Sequence, residues 1–146
     1  MDLWMVSVVA GLYGLVVGSF LNVCSLRWPV DQSVVKPGSR CPGCEQAIAW
    51  FDNIPVLSWI ALRGRCRHCG QPISVQYPLV ELANGLMWAG MFTTHGPSWE
   101  AFRASLFLTI LFGIALSDAR FFIIPDQFSI GGTLVGLVMS PLMGGI

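Results

Sequence analysis

Two cysteine pairs constrain the fold of this chain more than any other feature. They are Cys41-Pro-Gly-Cys44 and Cys66-Arg-His-Cys69, and 21 residues separate them. A Cys-x-x-Cys segment folds as a tight turn that directs two thiolates toward one point, and two such turns complete a tetrahedral zinc site. Two disulfides or four free thiols are the alternative interpretations. Because four cysteines close the coordination shell of zinc, we expect a structural ion without catalytic chemistry.

The composition indicates a membrane protein. Hydrophobic residues make up 54% of the chain and charged residues 11%, whereas a soluble domain carries about 25% charged residues. The net charge is zero, so the charge balance does not favour a nucleic-acid partner. We therefore expect an all-α polytopic protein in a lipid bilayer, with a small zinc-stapled domain outside it.

Apolar segments predict about four transmembrane helices. The first segment has 24 uncharged residues, enough to cross a hydrocarbon core of about 30 Å. Its Gly14 and Gly18 predict close packing against another helix. Asn22 is expected to cap this helix or to bond to a neighbouring one, and Cys24 to be a small buried hydrophobic residue. The four segments are 3–26, 79–92, 101–117 and 127–146.

The segment between the first two spans is expected to form a compact zinc-ribbon-like domain of turns and short strands. Six basic and three acidic residues lie between positions 27 and 67, which by the positive-inside rule places this segment in the cytoplasm. The cytoplasm is reducing and favours thiolates. Apolar residues between the cysteine pairs could form a small core over the metal or a surface facing membrane or substrate, and we expect a mixture of the two; they are Trp50, Phe51, Ile54, Val56, Leu57, Trp59 and Ile60.

The predicted domains are therefore a first transmembrane helix over residues 1–28, the cytoplasmic four-cysteine zinc domain over 29–78, and a membrane domain with three further helices over 79–146. The apolar sequence continues to the last residue, and we expect the chain to be a truncated form of a longer protein.

Three carboxylates lie close to the predicted membrane boundaries. Glu81 is a functional residue, or it extends to the membrane interface, or it pairs with a loop arginine. Asp118 follows an apolar run directly; with a second carboxylate nearby, one acid would polarise a peptide carbonyl while the other activates water. An ion pair with Arg120 is the alternative. Asp126 is a possible second carboxylate, but its position before the fourth span predicts a helix N-cap.

In combination, these motifs resemble the type IV prepilin peptidase family, the leader peptidase and N-methyltransferase of pilus and type II secretion systems. The motifs follow one another in family order over nearly the whole chain. They are Gly18-Ser-Phe-Leu-Asn22-Val with Arg27 and Pro29, the two cysteine pairs, Asn53-Ile-Pro55, Tyr77-Pro-Leu-Val-Glu81, and Asp118 with Ile124-Pro125-Asp126.

The resemblance implies a multi-pass protein of the bacterial inner membrane whose active site faces the cytoplasm. It implies prepilin or pseudopilin substrates, with leader cleavage after a glycine. It also implies Asp118 as the first catalytic aspartate, Cys41, Cys44, Cys66 and Cys69 as zinc ligands, and S-adenosylmethionine as methyl donor. The family's second aspartate lies in a Gly-x-Gly-Asp motif that this chain lacks. We expect the chain to be the N-terminal half of such an enzyme and inactive alone.

Two other functions fit the same residues. A membrane-anchored zinc scaffold of a secretion or pilus assembly would need the cysteines but not Asp118. A membrane methyltransferase without peptidase activity would bind S-adenosylmethionine. In the peptidase interpretation, we expect acidic groups such as Glu45, Asp52 or Glu81 to recognise the basic leader.

Overall fold

The computed structural model describes residues 2–140, and these fold as helices joined by turns. No strand occurs in that range, so the all-α prediction is confirmed. The helices are α1 (Leu3–Arg27), α2 (Leu57–Ala61), α3 (Gln76–His95), α4 (Trp99–Phe121) and α5 (Asp126–Met139), with 3-10 turns at Trp28–Val30 and Trp50–Asn53.

The short strands predicted for residues 29–78 are wrong. Within the described residues, two isolated antiparallel bridges take their place, Arg40 with Ala47 and Arg65 with Pro72. Each bridge joins the residues on either side of one cysteine pair, and neither bridge extends into a ladder of paired strands. We call residues 28–75, which connect α1 to α3, the module.

Two segments are long and apolar enough to cross a membrane. They are Leu3–Val30, with a mean hydropathy of 1.9, and Trp99–Phe121, with 1.5. Helices α3 and α5 also form where spans were predicted, but they do not meet this criterion. Part of the fourth predicted span, residues 141–146, lies outside the described residues. The count of four spans therefore remains a prediction.

Glycines allow α1 and α3 to pack with their backbones close together. A Cβ atom added at Gly18 would lie 2.9 Å from Cα of Glu81, and one added at Gly14 would lie 2.8 Å from Cβ of Trp88. Neither distance is compatible with a real side chain, so the helices would have to separate. The close packing predicted from Gly14 and Gly18 is confirmed.

A buried polar network joins α1, α3 and α4. The Asn84 side chain is fully buried, and its Nδ2 donates to the carbonyl of Gly14 at 2.7 Å. The Thr109 hydroxyl donates to Asn84 Oδ1 at 2.8 Å and accepts from Trp88 Nε1 at 3.0 Å. Such bonds between helices are worth about 0.6 kcal/mol each in a membrane, and their geometry fixes the register of the three helices.

An apolar cluster holds α5 against the other helices, at the end of the bundle from which the module emerges. Phe128 is buried and packs edge-on against Trp28, with ring centroids 4.7 Å apart. It also occupies the space beside Gly113, where a Cβ would lie 2.5 Å from its ring. Cys24 belongs to this cluster and is 2% exposed, which confirms its assignment as a buried hydrophobic residue.

Candidate functional site: a four-cysteine centre docked on the helices

The structure brings the four predicted metal ligands together. The Sγ atoms of Cys41, Cys44, Cys66 and Cys69 all lie within 4.8 Å of one another. Cys41 Sγ is 3.7 Å from Cys69 Sγ, and Cys44 Sγ is 4.0 Å from Cys66 Sγ. Four thiolates about 2.3 Å from one tetrahedral ion would be about 3.8 Å apart. The cluster therefore has the spacing that a metal ion requires.

The disulfide interpretation does not agree with this geometry. All five cysteines are free, and the sulfur separations are far longer than the bond of about 2.05 Å. The fifth cysteine, Cys24, lies within α1 and takes no part in the cluster.

The two cysteine turns have the same local construction. In the first, the N–H of Cys41 donates to Gln46 and the N–H of Glu45 donates to Cys41. In the second, the corresponding bonds run from Cys66 to Gln71 and from Gly70 to Cys66. The centre is thus built from two equivalent turns facing each other.

The residue after each pair has a positive φ angle, 56° at Glu45 and 72° at Gly70. Gly70 suits this backbone because it has no Cβ, whereas Glu45 adopts it at a steric cost. Gly43 has another role, because the space for its Cβ is occupied by the Gln71 side chain from the opposite turn. The two turns therefore interlock as well as share a metal site.

Backbone N–H groups prepare one thiol for metal binding. The N–H groups of Cys69 and His68 donate to the Cys66 sulfur and lower the pKa of its thiol to about 6. The thiolate is then the main form near neutral pH, and the thiolate is the form that binds metal.

An ion pair joins the segment between the cysteine turns to the second turn. Arg67 donates from Nε to Asp52 Oδ2 at 2.7 Å and from Nη2 to Asp52 Oδ1 at 2.6 Å. The Arg67 guanidinium also lies 5.6 Å from the centre of the Phe51 ring. Arg67 holds the pKa of Asp52 below its ordinary value through these hydrogen bonds.

Glu81 docks the module on the helices. It lies in the second turn of α3, is 7% exposed, and accepts a hydrogen bond of 2.7 Å from the backbone N–H of Val56. Val56 has φ 61° and ψ −49°, an outlier for a β-branched residue that costs about 1–3 kcal/mol. The interfacial pairing of Glu81 with a loop arginine is wrong, since its partner is a backbone amide.

Other hydrogen bonds near Glu81 join α1 to α3 and α1 to the module. Asn22 Nδ2 donates to the carbonyl of Tyr77 at 3.1 Å, which confirms that Asn22 bonds to a neighbouring helix. The Arg27 guanidinium donates to the carbonyls of Ser33, Pro37 and Gly38. These bonds order the first residues of the module.

A cavity of about 690 Å³ lies between the module and the helices. Asn22 and Glu81 line it from the helix side, and Asn53, Pro55 and Trp59 from the module side. We call it the junction cavity. Its size is in the range of small-molecule sites. It joins the Asn53-Ile-Pro55 and Tyr77-to-Glu81 motifs, which are far apart in sequence.

The apolar residues between the cysteine pairs form more surface than core. Trp50 is 80% exposed and Leu57 65% exposed, and Phe51, Ile54 and Ile60 are exposed as well. Only Val56 and Trp59 are partly buried, and Trp59 Nε1 donates to the carbonyl of Ile73. The small core over the metal is therefore limited to these two residues.

The aspartates lie at the same end of the bundle but do not contact each other. Asp118 is exposed in the last turn of α4, and within residues 2–140 its side chain makes no hydrogen bond or ion pair. The alternative ion pair with Arg120 does not form, because Arg120 donates to Gln76 Oε1. Asp126 is the first residue of α5 and makes no capping bond, so the N-cap prediction is wrong; Pro125 occupies that position.

Sequence reasoning missed two buried polar residues. Asn84 is an amide inside an apolar helix, and that contrast alone is a signal for an interhelical bond. Ser117, next to Asp118, is fully buried, and its hydroxyl has no partner among the described residues. Nothing in the sequence distinguishes it from the other serines of the helices.

Comparison with known proteins identifies the family. The profile of the family described as "Bacterial Peptidase A24 N-terminal domain" matches residues 12–95. A prepilin leader peptidase/N-methyltransferase of Myxococcus xanthus is 47% identical over 90% of this chain and 39% of its own length. Proteins of the same description from Burkholderia pseudomallei (strain 1026b) and Aeromonas hydrophila are 38% and 34% identical, over 87% and 97% of this chain.

The chain spans 39%, 49% and 57% of these three relatives. No solved structure is significantly similar to it. The match over residues 12–95 covers most of α1, the module with its cysteine centre, and α3. It therefore includes the contact between Glu81 and the module. Two long apolar helices and these relatives indicate a membrane protein. The chain belongs to the bacterial A24 peptidase family and matches its N-terminal half.

Proposed function

We propose that this chain is the N-terminal part of a prepilin leader peptidase and N-methyltransferase of the bacterial inner membrane. In this proposal residues 1–28 form the first transmembrane helix, 29–78 a cytoplasmic zinc domain, and 79–146 a membrane domain. The observation that carries it is the cysteine centre docked through Glu81 onto α3, inside the region that matches the family.

Zinc is the metal that the cysteine centre fits best. Four thiolates at this spacing suit tetrahedral Zn²⁺, and a closed all-sulfur shell supplies cross-linking without an open position for catalysis. The metal would thus hold the two turns together under the junction cavity, and the chemistry would belong to other residues.

Leader cleavage would depend on Asp118 and a second aspartate outside this sequence. A pair of carboxylates sharing one proton can polarise a peptide carbonyl and activate water. Asp118 lies at the module end of α4, which in this proposal is the cytoplasmic end. The chain contains no Gly-x-Gly-Asp motif, so we propose that it does not cleave prepilins alone. The resemblance to the family implies S-adenosylmethionine as the methyl donor, and no residue of this chain is assigned to its binding.

A chimera tests this function. The chain is joined to the remaining C-terminal part of the Myxococcus xanthus relative, and leader removal from a prepilin or pseudopilin is followed by mass spectrometry. We expect cleavage by the chimera, none by the chain alone, and a loss of roughly a thousandfold in Asp118→Asn. Asp126→Asn is the matched control and should retain cleavage.

Normal cleavage by Asp118→Asn would contradict the assigned role of Asp118 and favour a zinc scaffold. Cleavage by the chain alone, lost in Asp118→Asn, would show that the second carboxylate comes from this chain or a second copy of it. Asp126 would then be the first residue to test.

A further inference from the structure

We propose that the junction cavity binds a primary ammonium group at the carboxylate of Glu81. The inference rests on the proposed function, because the ammonium is expected to belong to a peptide substrate, either on a lysine side chain or at a free N-terminus. It identifies which acidic group of the chain receives positive charge and where the substrate lies relative to the module.

Glu81 is buried without a cationic partner among the described residues. Its side chain is among the least exposed of the charged residues, at 7%. The ion pair found within residues 2–140 is the one between Arg67 and Asp52, and it does not involve Glu81. Burial of a carboxylate without a positive partner is unfavourable. A carboxylate at a membrane boundary in this state indicates a ligand or proton site.

The other two candidate acids, Asp52 and Glu45, are excluded as ammonium sites by their surroundings. Asp52 also lines the junction cavity, but both of its oxygens bond to Arg67. Glu45 is exposed and does not line the cavity. Of the three acidic groups predicted to recognise a basic leader, Glu81 alone both faces the cavity and lacks a cationic partner.

The Glu81 carboxylate is held in place by the module without any ligand. The N–H of Val56 points at Oε2 because Val56 adopts a positive φ, and the N–H of Leu57 closes the same turn onto Pro55 at 2.6 Å. Strain of this kind persists where surrounding contacts impose it, and it is common at binding sites. The turn therefore fixes the carboxylate at the cavity wall, as a preorganised site requires.

The arginines of the cavity limit the kind of ligand. Arg27 and Arg120 bond to protein oxygens, Arg67 bonds to Asp52, and Arg40 makes one long contact of 3.5 Å to the Glu45 carbonyl. These four arginines outnumber the two carboxylates that line the cavity, so the cavity wall is basic on balance. A ligand with one ammonium on Glu81 and an uncharged remainder fits this wall, whereas a dense polycation would be repelled.

The test separates the charge of Glu81 from its hydrogen bond. In Glu81→Gln the amide oxygen still accepts from Val56, so the module stays docked, but the negative charge is lost. Binding is measured by calorimetry on the whole chain in detergent. The probes are three synthetic peptides with a short leader, a glycine and an apolar stretch. One has a free N-terminus and norleucine for lysine, one is acetylated and keeps lysine, and one is acetylated with norleucine.

We expect one of the two ammonium peptides to bind the wild-type chain, and to bind Glu81→Gln roughly tenfold more weakly. The peptide that responds identifies the source of the ammonium. Glu100→Gln, an exposed acid at the start of α4, is the matched control and should bind like the wild type.

Two results would overturn the inference alone: equal binding by Glu81→Gln and wild type, or equal binding of the neutral and ammonium peptides to the wild type. The second comparison needs no variant and holds even if Glu81→Gln fails to fold. Absence of binding by all three peptides would count against both the inference and the proposed substrate class.

Discussion

Individual polar side chains within apolar sequence determine how α1, α3 and the module contact one another. Asn22, Glu81 and Asn84 are each buried, and each bonds to a backbone group on a different element. In a membrane an unpaired polar group has no water to replace a lost partner. Each residue therefore specifies one arrangement of its two elements, even where the bond itself contributes little energy.

Arg67 and Asp52 give a prediction about pH. The hydrogen bonds from Arg67 lower the pKa of Asp52, so the pair stabilises the folded module above the unfolded pKa of about 3.9, and this contribution is lost as the pH falls through the lower folded pKa. Carboxyl ¹³C NMR should show Asp52 titrating below its ordinary value in the wild type, and closer to it in Arg67→Gln.

Arg63→Gln is the control for this titration, because Arg63 does not bond to Asp52. Titration of Asp52 at its ordinary value in the wild-type chain would contradict the ion pair. The effect on overall stability is expected to be small, since the Arg67 side chain is 52% exposed and solvent screens the pair.

The hydrogen-bond partner of a buried polar residue could be predicted from the sequence where that partner lies on a neighbouring helix. It could not be predicted where the partner lies in a turn. The role of Asn22 followed from an amide near the end of an apolar helix. The partner of Glu81 did not, because it depends on the positive φ of Val56, and β-branched residues rarely adopt that conformation. The N-cap assignment of Asp126 failed because α5 begins one residue earlier than expected, directly after Pro125.

Among the elements, the pairing of α1 with α3 depends on small residues along one face. Gly14 and Gly18 of α1 meet Trp88 and Glu81 of α3 at distances that exclude a Cβ. Helix association in lipid lacks a hydrophobic contribution and depends on van der Waals packing and interhelical hydrogen bonds. Close approach of the backbones therefore adds van der Waals contact to the hydrogen bond between Asn84 and Gly14.

Gly18→Ala should destabilise the protein, because the new Cβ would be forced against the α3 backbone. We expect a loss of about 1–3 kcal/mol, seen as a lower melting temperature of the helical circular dichroism signal in detergent. Gly90→Ala is the matched control: it lies in α3 with no atom within 4 Å of the new Cβ. It should be neutral or stabilising by up to about 1 kcal/mol.

Equal effects of the two substitutions would contradict the assigned role of Gly18 in close helix packing, because Ala has the higher helix propensity at both positions. The positions of the long helices could be predicted because apolar length and glycine spacing are local properties of the sequence. The interior of the module could not, since short bridges around two cysteine turns leave no periodic pattern.

For the whole molecule, the candidate metal site and the helix packing lie in separate parts of the structure. The cysteine centre lies within the module, whereas the Asn84 network and the glycine contacts lie within the helices. Removal of the metal should therefore unfold the module and leave the helical bundle assembled.

Metal analysis should find one zinc per chain in the wild type and much less in Cys66→Ser. After chelation, trypsin should cleave rapidly at Arg63 and Arg65, while the helical circular dichroism signal is retained. Cys24→Ser, which changes a cysteine outside the cluster, should keep the zinc. Equal zinc content in Cys66→Ser and wild type would exclude the four-cysteine site.

The bond between Asn22 and Tyr77 has a consequence for how such chains can vary. It joins the last turns of α1 to the first turn of α3 at 3.1 Å, so the module leaves and returns at nearly the same point. Helix packing and this hydrogen bond together hold those two points, so the helices do not fix the length of chain between them. We therefore expect that the module can be lengthened, shortened or replaced by a short linker while α1 and α3 keep their register.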